Sequence, residues 1–534
     1  MRCVTWLAIV LAAVGANAIA SASQPEKSKL DAALQGLQAG VVRVIIQTTH
    51  GQTSNVAERV RSRGRQVLKQ FTLVDALTAE VGADDLEALQ ADAAVTDVSI
   101  DAVVASTGVG DASPGPSVTA LSTLGLPLQG LTGKGVGVAV IDSGLALSGD
   151  FAGVIFYDFT SSQAGAPYDE YGHGTHVSGL IASKGTQSQG AYVGIAPKSH
   201  LIELKVLDAQ GRGQTSTVLD ALDFAVANKN VLGIDVINLS LGHPIFERAD
   251  TDPLVQAVEA ATRAGIVVVV AAGNVGRSLT TGLPGYAGIL SPANAPSAIT
   301  VGALDTKNTI ARSDDGVAPY SSRGPTWYDA LPKPDLVASG QSLISDAAIG
   351  STLYTVLPNA RIAGNGGMAR FLRLNGTSMS AAVTSGVVAL VIEASRNAFG
   401  MAPPPATIKS ILAYTALPVD GADPLTQGHG ALNPSGAVRL TLAAGAAGWP
   451  AAGFTALVSP ATTTVDGDTW TWAQDDSWGD TVVWGSTDSE PAWAQTVVWG
   501  SVDWGDTVVW GSTVVWGSTD SGDTVVWGST NGVN

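Results

Sequence analysis

The chain has 534 residues, of which 45% are apolar and 14% charged, and its formal net charge is −18 at pH 7. This composition supports a large buried core, argues against global disorder and, by length, suits about three domains. The strong negative charge argues against a nucleic acid as partner, because phosphate groups would be repelled.

The first 22 residues have the pattern of a secretory signal peptide. Arg2 precedes a short apolar run from Val4 to Val14, and two A-x-A cleavage patterns follow at 16–18 and 20–22. The run is too short to span a bilayer, and we expect no later segment to be long and apolar enough to look transmembrane. The only cysteine, Cys3, lies inside this signal. The mature protein is therefore predicted to be secreted, extracellular and free of disulfides and thiol chemistry.

Residues 24–105 alternate strand-like and helix-like segments, which predicts a small α+β domain. Strands are expected at 41–46, 71–81 and 95–100, and helices at 56–68 and 84–90. The next stretch, 106–117, is rich in Gly, Pro and Ser. We predict that it is an exposed and cleavable linker.

Residues 118–440 combine buried-strand patterns with helix patterns in regular alternation. Strands are expected at 136–141, 201–206, 236–239 and 266–270, and helices at 217–227 and 254–264. This βαβ rhythm is typical of parallel strands covered by helices on both faces. It predicts one α/β domain with a doubly wound, mostly parallel sheet.

The C-terminal part begins with a predicted linker, 441–469, and continues as an acidic repeat tail, 470–534. The motif TVVWGS occurs five times, starting at residues 481, 496, 507, 513 and 524, without a fixed period. Ten of the 13 tryptophans lie between Trp470 and Trp527, and no Lys or Arg follows Arg439. Rows of tryptophan suit contact with a glycan or the cell surface. The alternative interpretation is a poorly ordered acidic tail.

Two polar motifs follow predicted structural elements in the first half of this domain. Asp142 ends a buried strand, where functional groups gather in open α/β sheets, although an aspartate there also caps loops. His173 and His176 stand in HGTH at a predicted helix start. Zinc helices need H-x-x-x-H and a third ligand, and that pattern is absent. We expect His173 to act as a base and His176 to be packed.

Two further motifs follow in the second half. Asn274 ends another buried strand, where its side-chain amide suits donation to an oxyanion or, alternatively, a tight turn. Ser378 precedes a predicted helix at 380–392, whose start offers free N–H groups. A cap is the alternative role of this serine. A serine attacks a carbonyl only when a histidine takes its proton and a carboxylate holds that histidine.

Together Asp142, His173 and Ser378 stand in the chain order of the subtilisin triad. The chain resembles the subtilase family of serine endopeptidases in VIDSG, HGTHVSG, AAGN and NGTSMSAA, and in INLSLG, YSSRGP and GHGALNPSGAV. The resemblance implies a subtilisin-like fold, with Asp142 orienting His173 and His173 activating Ser378. It also implies an oxyanion donor in Asn274.

The resemblance extends to substrate binding and to the N-terminal block. It implies that the backbone of Ser240, Leu241 and Gly242 pairs with extended peptide substrates, in a broad cleft that takes apolar residues. The block 24–105 resembles an inhibitor-type propeptide, which implies an intramolecular inhibitor and an inactive precursor. The loop 184–192 lacks the Asn-rich calcium loop of well-known members, so no cofactor is certain and calcium stays open as a structural ion.

Two alternatives to a secreted endopeptidase remain at this point. One is an inactive subtilase fold that serves as a surface or binding protein. The other makes the repeat tail, 470–534, the functional part that carries the peptidase to a wall or a carbohydrate.

Overall fold

A computed structural model gives the structure of most of the chain. The described residues are 28–37, 39–110, 120–128, 130–151, 153–161, 165–277, 282–449, 454 and 457–474, with three short strands beyond them. The expected signal peptide, and the interpretations of the tryptophan side chains in the repeat tail, lie outside the described residues.

The N-terminal unit is an antiparallel sheet with two helices. Its elements are β1 (Val41–Thr48), α1 (Thr53–Ser62), β2 (Gln66–Gln70), β3 (Ala76–Gly82), α2 (Ala83–Ala91) and β4 (Val95–Ile100). The strand order is β2-β3-β1-β4. Because side chains alternate along a strand, Val44 and Ile46 pack with the helices, whereas Ile45 packs in a core of the larger domain.

Two expected boundaries in this unit are wrong. The helix expected at 56–68 ends at Ser62, because Gly64 adopts a positive φ of 76° that turns the chain. Residues 66–70 then pair with β3 as a separate strand. The strand expected at 71–81 therefore begins only at Ala76.

The larger domain contains the remaining helices and most of the strands. In chain order they are β5 (Val103–Ser106), β6 (Val109–Gly110), α3 (Ala120–Thr123), β7 (Gly137–Asp142), β8 (Ile155–Asp158), α4 (His173–Ala182), β9 (His200–Lys205), β10 (Arg212–Gln214), α5 (Thr215–Ala227), α6 (Lys229–Leu232), β11 (Ile234–Leu239), β12 (Leu241–Gly242), α7 (Pro253–Arg263), β13 (Val267–Ala271), β14 (Ile299–Asp305), β15 (Gly316–Val317), β16 (Leu336–Ser339), β17 (Leu343–Asp346), α8 (Thr352–Val356), β18 (Arg361–Ala363), β19 (Ala369–Asn375), α9 (Thr377–Phe399), α10 (Pro405–Thr415), α11 (Pro424–Gln427) and α12 (Pro434–Ala446).

An eight-stranded sheet forms the centre of this domain. Its order is β15-β14-β13-β11-β7-β9-β8, with β16 paired to β14, and all neighbours are parallel except β14 and β15. On β7, Val138 and Val140 belong to one apolar core and Ala139 and Ile141 to the other. The expected mostly parallel sheet with helices on both faces is confirmed. Each strand and helix expected between 136 and 270 begins and ends within two residues of an observed one.

The 23-residue helix α9 runs through the core behind this sheet. By length and composition alone it could cross a membrane, but its most apolar 18-residue window is 100% buried inside the fold. Our expectation that no segment after the signal has that length and composition is therefore wrong. The apolar sequence of α9 reflects its position as a core helix, since helices that are apolar all round are buried.

The segment that joins the two units is held by strand pairing. β5 lies between β10 and β12, and β6 pairs with β19. The part of the expected linker up to Gly110 is therefore docked on the larger domain, while 111–117 lies outside the described residues.

The region after residue 440 continues to pack on the larger domain. α12 extends to Ala446, and a hairpin follows, β20 (Thr462–Val465) and β21 (Asp468–Thr471). Trp472 is buried beside Tyr414, and its Nε1 donates to Thr463 Oγ1 at 2.8 Å. Residues of the predicted linker, such as Thr463, are therefore packed on the larger domain through Trp472. Further on lie β22 (Val497–Val498), β23 (Thr507–Trp510) and β24 (Thr524–Trp527), which pair with one another through their backbones.

Candidate active site

Asp142 and His173 form a buried pair at the carboxyl end of the sheet. Asp142 ends β7 and His173 begins α4, and both side chains are fully buried. His173 Nδ1 lies 2.8 Å from Asp142 Oδ1 and 3.0 Å from Oδ2. The backbone N–H of Ser143 donates to Asp142 Oδ1 at 2.7 Å. The carboxylate therefore holds one imidazole nitrogen and leaves the other free to face the cleft.

Asp169, which the sequence analysis missed, fixes the helix start that carries His173. Its Oδ2 accepts from Thr175 N at 2.9 Å and Thr175 Oγ1 at 2.6 Å, and its Oδ1 accepts from Gly172 N at 2.7 Å. Ser143 Oγ also donates to Asp169, and the same Ser143 Oγ accepts from Gly174 N. An acidic residue shortly before HGTH was the available signal, since helix starts favour such caps.

His176 is a packed residue, in agreement with our expectation. Its Nε2 lies 3.2 Å from the carbonyl oxygens of Leu343 and Leu372. Burial lowers the pKa of His176 to about 3, and the nearby His173 contributes to that shift. The ring is therefore neutral, and it donates to those carbonyl groups.

Ser378 is the second residue of α9, at the end of α9 that faces the same cleft. Its hydroxyl donates to Ser240 O at 3.1 Å, and its Oγ lies 2.6 Å from Thr107 Oγ1. Ser240 Oγ in turn donates to the carbonyl oxygen of Ser378 at 3.1 Å. Gly376, just before the helix, has a φ of 150°, a backbone conformation that favours glycine.

Asn274 lies beside this helix start with its amide nitrogen unused. Its Oδ1 accepts from Thr377 N at 3.0 Å and from Thr377 Oγ1 at 3.1 Å. Its Nδ2 is buried and has no hydrogen-bond partner among the described residues. A Cβ built on Gly376 would lie 3.2 Å from that Nδ2 and 2.7 Å from Thr107 O. The amide donor and this carbonyl oxygen thus share one small space.

The chain's own residues 105–108 run along the cleft. Ala105 and Ser106 pair with Gly242 and Leu241 as antiparallel partners, and Thr107 N donates to Ser240 O at 3.4 Å. A Cβ built on Gly108 would lie 2.8 Å from His173 Nε2, which has no hydrogen-bond partner in the described part of the chain. Of the residues predicted from the sequence, Ser378, Ser240, His173 and Asn274 lie at Thr107 and Gly108. Leu241 and Gly242 pair with Ser106 and Ala105, and Asp142 reaches this segment only through His173.

Two buried ionisable residues next to the site were also missed. Lys205 Nζ donates to Ser143 O and Leu207 O at 2.7 Å each and pairs with Glu170 at 2.8 Å. Glu203 accepts from the hydroxyl of Ser178, and burial raises the pKa of Glu203 well above its usual range. Both lie in β9, next to apolar residues at 201, 202 and 204. Charged residues within such an apolar run were the sequence signal from which they could have been predicted.

No cluster of acidic side chains typical of a metal site is found among the described residues. Within the described ranges no three acidic or histidine side chains converge on one point. The nearest pair is Asp150 and Asp346 beside the loop 184–192. Asp150 Oδ1 accepts from the backbone N–H groups of Thr186 and Gln187. Burial, with the charge of Asp150, raises the pKa of Asp346 to about 7, and Asp346 Oδ2 has no hydrogen-bond partner among the described residues.

Comparison with known proteins shows the family of this chain. A sequence model described as the subtilase family matches residues 133–433, more than half of the chain. The chain belongs to the subtilase family. It is a subtilisin-like serine protease, as are relatives with substantial identity over the same domain.

Serine protease AprX of Bacillus subtilis (strain 168) is 37% identical to this subtilase over 316 residues, which cover 58% of this chain and 67% of that protein. Subtilisin E of the same organism is 32% identical over 334 residues, covering 62% and 74%. Alkaline protease of Alkalihalobacillus alcalophilus is 30% identical over 396 residues, covering 73% and 88%.

A solved structure shares the fold of this subtilase. Fervidolysin from Fervidobacterium pennivorans, described as a keratinolytic enzyme related to subtilisin, superposes with a TM-score of 0.58 at 22% identity. The match covers 77% of this chain and 64% of fervidolysin. At this identity the likeness supports the fold alone.

Proposed function

We propose that this subtilase is a secreted endopeptidase that works through an acyl-enzyme intermediate and is made as an autoinhibited precursor. One observation carries the proposal: the chain's own residues 105–108 lie in the cleft as an extended strand. Ser378 Oγ lies 2.6 Å from Thr107 Oγ1, and a Cβ built on Gly108 would lie 2.8 Å from Nε2 of His173, which pairs with Asp142. The segment thus occupies the position that a peptide substrate would need.

In the first half of the reaction, Ser378 Oγ attacks the carbonyl carbon of the substrate. His173 Nε2 takes the hydroxyl proton, and Asp142 stabilises the resulting imidazolium through Nδ1. The C=O electron pair moves to the oxygen, where Asn274 Nδ2 and the Ser378 backbone N–H donate to the negative charge. The unused amide donor of Asn274 beside Thr107 O supports this role.

In the second half, the C–N bond breaks and His173 gives its proton to the leaving amine. A water molecule then loses a proton to His173 and attacks the acyl ester, and the C–Oγ bond breaks as His173 returns that proton to Ser378 Oγ. The products are a carboxylate, a free amine and regenerated Ser378. Substrates in other proteins would bind as residues 105–107 do, through backbone pairing with Ser240, Leu241 and Gly242.

The first cleavage in this scheme is intramolecular, at the Thr107–Gly108 bond. The released piece ends at Thr107, and within it residues 24–105 act as an inhibitor-type propeptide that stays bound without a covalent link. Asp101 supports this docking: it accepts from Ser216 N and Oγ at the start of α5, both at 2.8 Å, and pairs with Arg43 at 2.6 Å. A precursor of this kind stays inactive until the signal at 1–22 has directed export.

A serine-directed fluorophosphonate probe tests the proposal on the purified full chain. We expect the probe to label Ser378 once the propeptide has been removed, and the mature N-terminus to be Gly108 by mass spectrometry. The Ser378→Ala variant is the control and should remain an unlabelled, uncut precursor. A wild-type chain that stays uncut and unlabelled would instead favour an inactive subtilase fold with a binding role.

A further inference from the structure

Two glycine-containing segments border the cleft beside Thr107. Gly242 ends β12, the strand that pairs with Ala105, and Gly273 follows β13 directly before Asn274. Gly273 N donates to Thr377 Oγ1 at 3.1 Å, which holds this second segment against the start of α9. A substrate residue at the position of Thr107 therefore lies next to the space between Gly242 and Gly273.

Leu290 occupies that space. A Cβ built on Gly242 would lie 3.1 Å from Leu290 Cβ and 3.4 Å from its Cδ1. A Cβ built on Gly273 would lie 2.8 Å from Leu290 Cγ and 3.0 Å from the same Cδ1. One leucine side chain is thus in contact range of both glycine segments, and it is half-buried.

The backbone holds Leu290 in this position from both sides. Leu290 N donates to Ala272 O at 3.2 Å. Its neighbour Ser291 exchanges two hydrogen bonds with His243, at 2.9 and 3.0 Å. Ser322 closes the same region, since its Oγ would lie 2.8 Å from a Cβ on Gly273. The backbone at Leu290 is therefore fixed to both segments by hydrogen bonds.

We propose that Leu290 fills the pocket for the substrate residue on the acyl side of the cut bond, so that this subtilase cleaves after small residues such as Ala, Ser and Thr. The inference rests on the proposed peptidase activity of Ser378, and it replaces our expectation of a broad cleft for apolar residues. Thr107, the residue at this position in the chain's own cleft segment, has the required size.

The physical reason is steric. Two glycines facing each other leave a slot that could take a flat aromatic ring, but a leucine between them leaves room for only a few heavy atoms. Forcing a larger group into a packed site strains side chains and backbone, and pocket size of this kind discriminates substrates by about ten- to two-hundred-fold. Removing the leucine side chain should reopen the slot.

The test uses four fluorogenic peptides of sequence Val-Ala-Ser-X, where X is Ala, Thr, Leu or Phe, and the full chain after self-processing. For the wild type we expect kcat/KM to be about tenfold or more higher for Ala and Thr than for Leu and Phe. In Leu290→Gly the value for Phe should rise about tenfold, while that for Ala changes less than about threefold.

Fluorophosphonate titration supplies the concentration of active sites for every variant, so a partly folded variant is still compared per active site. Leu147→Gly, the same change at an exposed loop position, is the matched control and should keep the wild-type preference. Leu290→Ala is the second variant if Leu290→Gly does not fold. A labelled wild type that cuts after Phe as fast as after Ala would overturn the inference, as would an unchanged Phe/Ala ratio in both variants. A wild type that is neither labelled nor active on any peptide would overturn the proposed function itself.

Discussion

The hydroxyl oxygen of Thr107 lies 2.6 Å from the hydroxyl oxygen of Ser378. Ser378 gives its own proton to Ser240 O, so Thr107 is the donor in this contact. The bond keeps the Ser378 hydroxyl directed at Ser240, while His173 Nε2 has no partner among the described residues. The residue before the proposed cut thus holds the proposed nucleophile in a resting orientation.

Removing that donor should accelerate self-processing. In Thr107→Val the shape of the side chain is nearly kept but the hydroxyl is lost, and a neutral hydrogen bond is worth about 1 kcal/mol, so precursor cleavage should be roughly two- to tenfold faster. Thr107→Ser keeps a hydroxyl and is the matched control. The measurement is the first-order loss of full-length chain on denaturing gels. Equal rates for Thr107→Val and wild type would contradict the resting role of the Thr107 hydroxyl.

Replacing Asn274 should lower turnover more than binding. Asn274→Ala removes the Nδ2 donor next to Thr107 O, and the loss of such a donor in subtilisin itself lowers kcat by about 10²–10³. KM should change little, because the donor acts on charge that develops in the transition state. Steady-state kinetics on one good peptide measures both constants. A kcat within about threefold of wild type would rule out this role.

The docked propeptide should be released more readily as the pH rises. Burial raises the pKa of Asp31, in the N-terminal unit, to about 6, and Asp252 adds to the shift. Across the interface, burial raises the pKa of Glu247 well above its usual range, with Asp252 and Asp31 contributing. The ordinary pKa of an aspartate is 3.8, and separation from Glu247 and Asp252 should move the pKa of Asp31 toward that value, so we expect the complex to bind more protons than the separated parts.

Propeptide binding should therefore weaken as the pH rises. Docking is strongest below about pH 4 and weakens, by about tenfold or more, as the pH rises through 6. The measurement is the dissociation constant of the self-cleaved propeptide from the enzyme between pH 4 and 7.5, which gives the slope of affinity against pH. Asp31→Asn should flatten it, whereas Asp84→Asn, at an exposed site on α2, should not. A wild-type affinity that rises with pH would show that other groups control release.

Chelation should leave the stability of the mature enzyme nearly unchanged. Asp150 already accepts two backbone N–H groups of the loop 184–192, and Gln187 Nε2 lies 3.5 Å from Asp346 Oδ1. A ligand that binds only the folded state stabilises it, and this pair supplies only two acidic side chains, fewer than the described residues would need for a cluster of three. The half-life at elevated temperature with EDTA should stay within about twofold of the untreated value. A large loss that calcium restores would reveal a site elsewhere in the chain.

Local sequence patterns were enough to predict the parallel sheet and the candidate catalytic residues. Continuous apolar runs such as 266–270 belong to strands buried on both faces, and polar residues directly after them, such as Asp142 and Asn274, fall at one edge of the sheet. Those are local patterns, so their boundaries agree with the structure to within two residues. The helix expected at 56–68 was wrong because one glycine with positive φ outweighed the helical pattern on either side of it.

That residues 105–108 lie in the cleft, with Leu290 beside them, is seen only in the tertiary structure. Thr107 is 271 residues away from Ser378, and Leu290 is 48 residues from Gly242, so no periodicity in the sequence connects them. The linker pattern of 106–117 indicates exposure, yet the free N–H and C=O groups of β10 and β12 take up residues 103–106 as a middle strand. Backbone hydrogen bonding is independent of side-chain identity. The sequence therefore predicted a peptidase, but it did not predict that the Thr107–Gly108 peptide lies in the cleft or that Leu290 lies between Gly242 and Gly273.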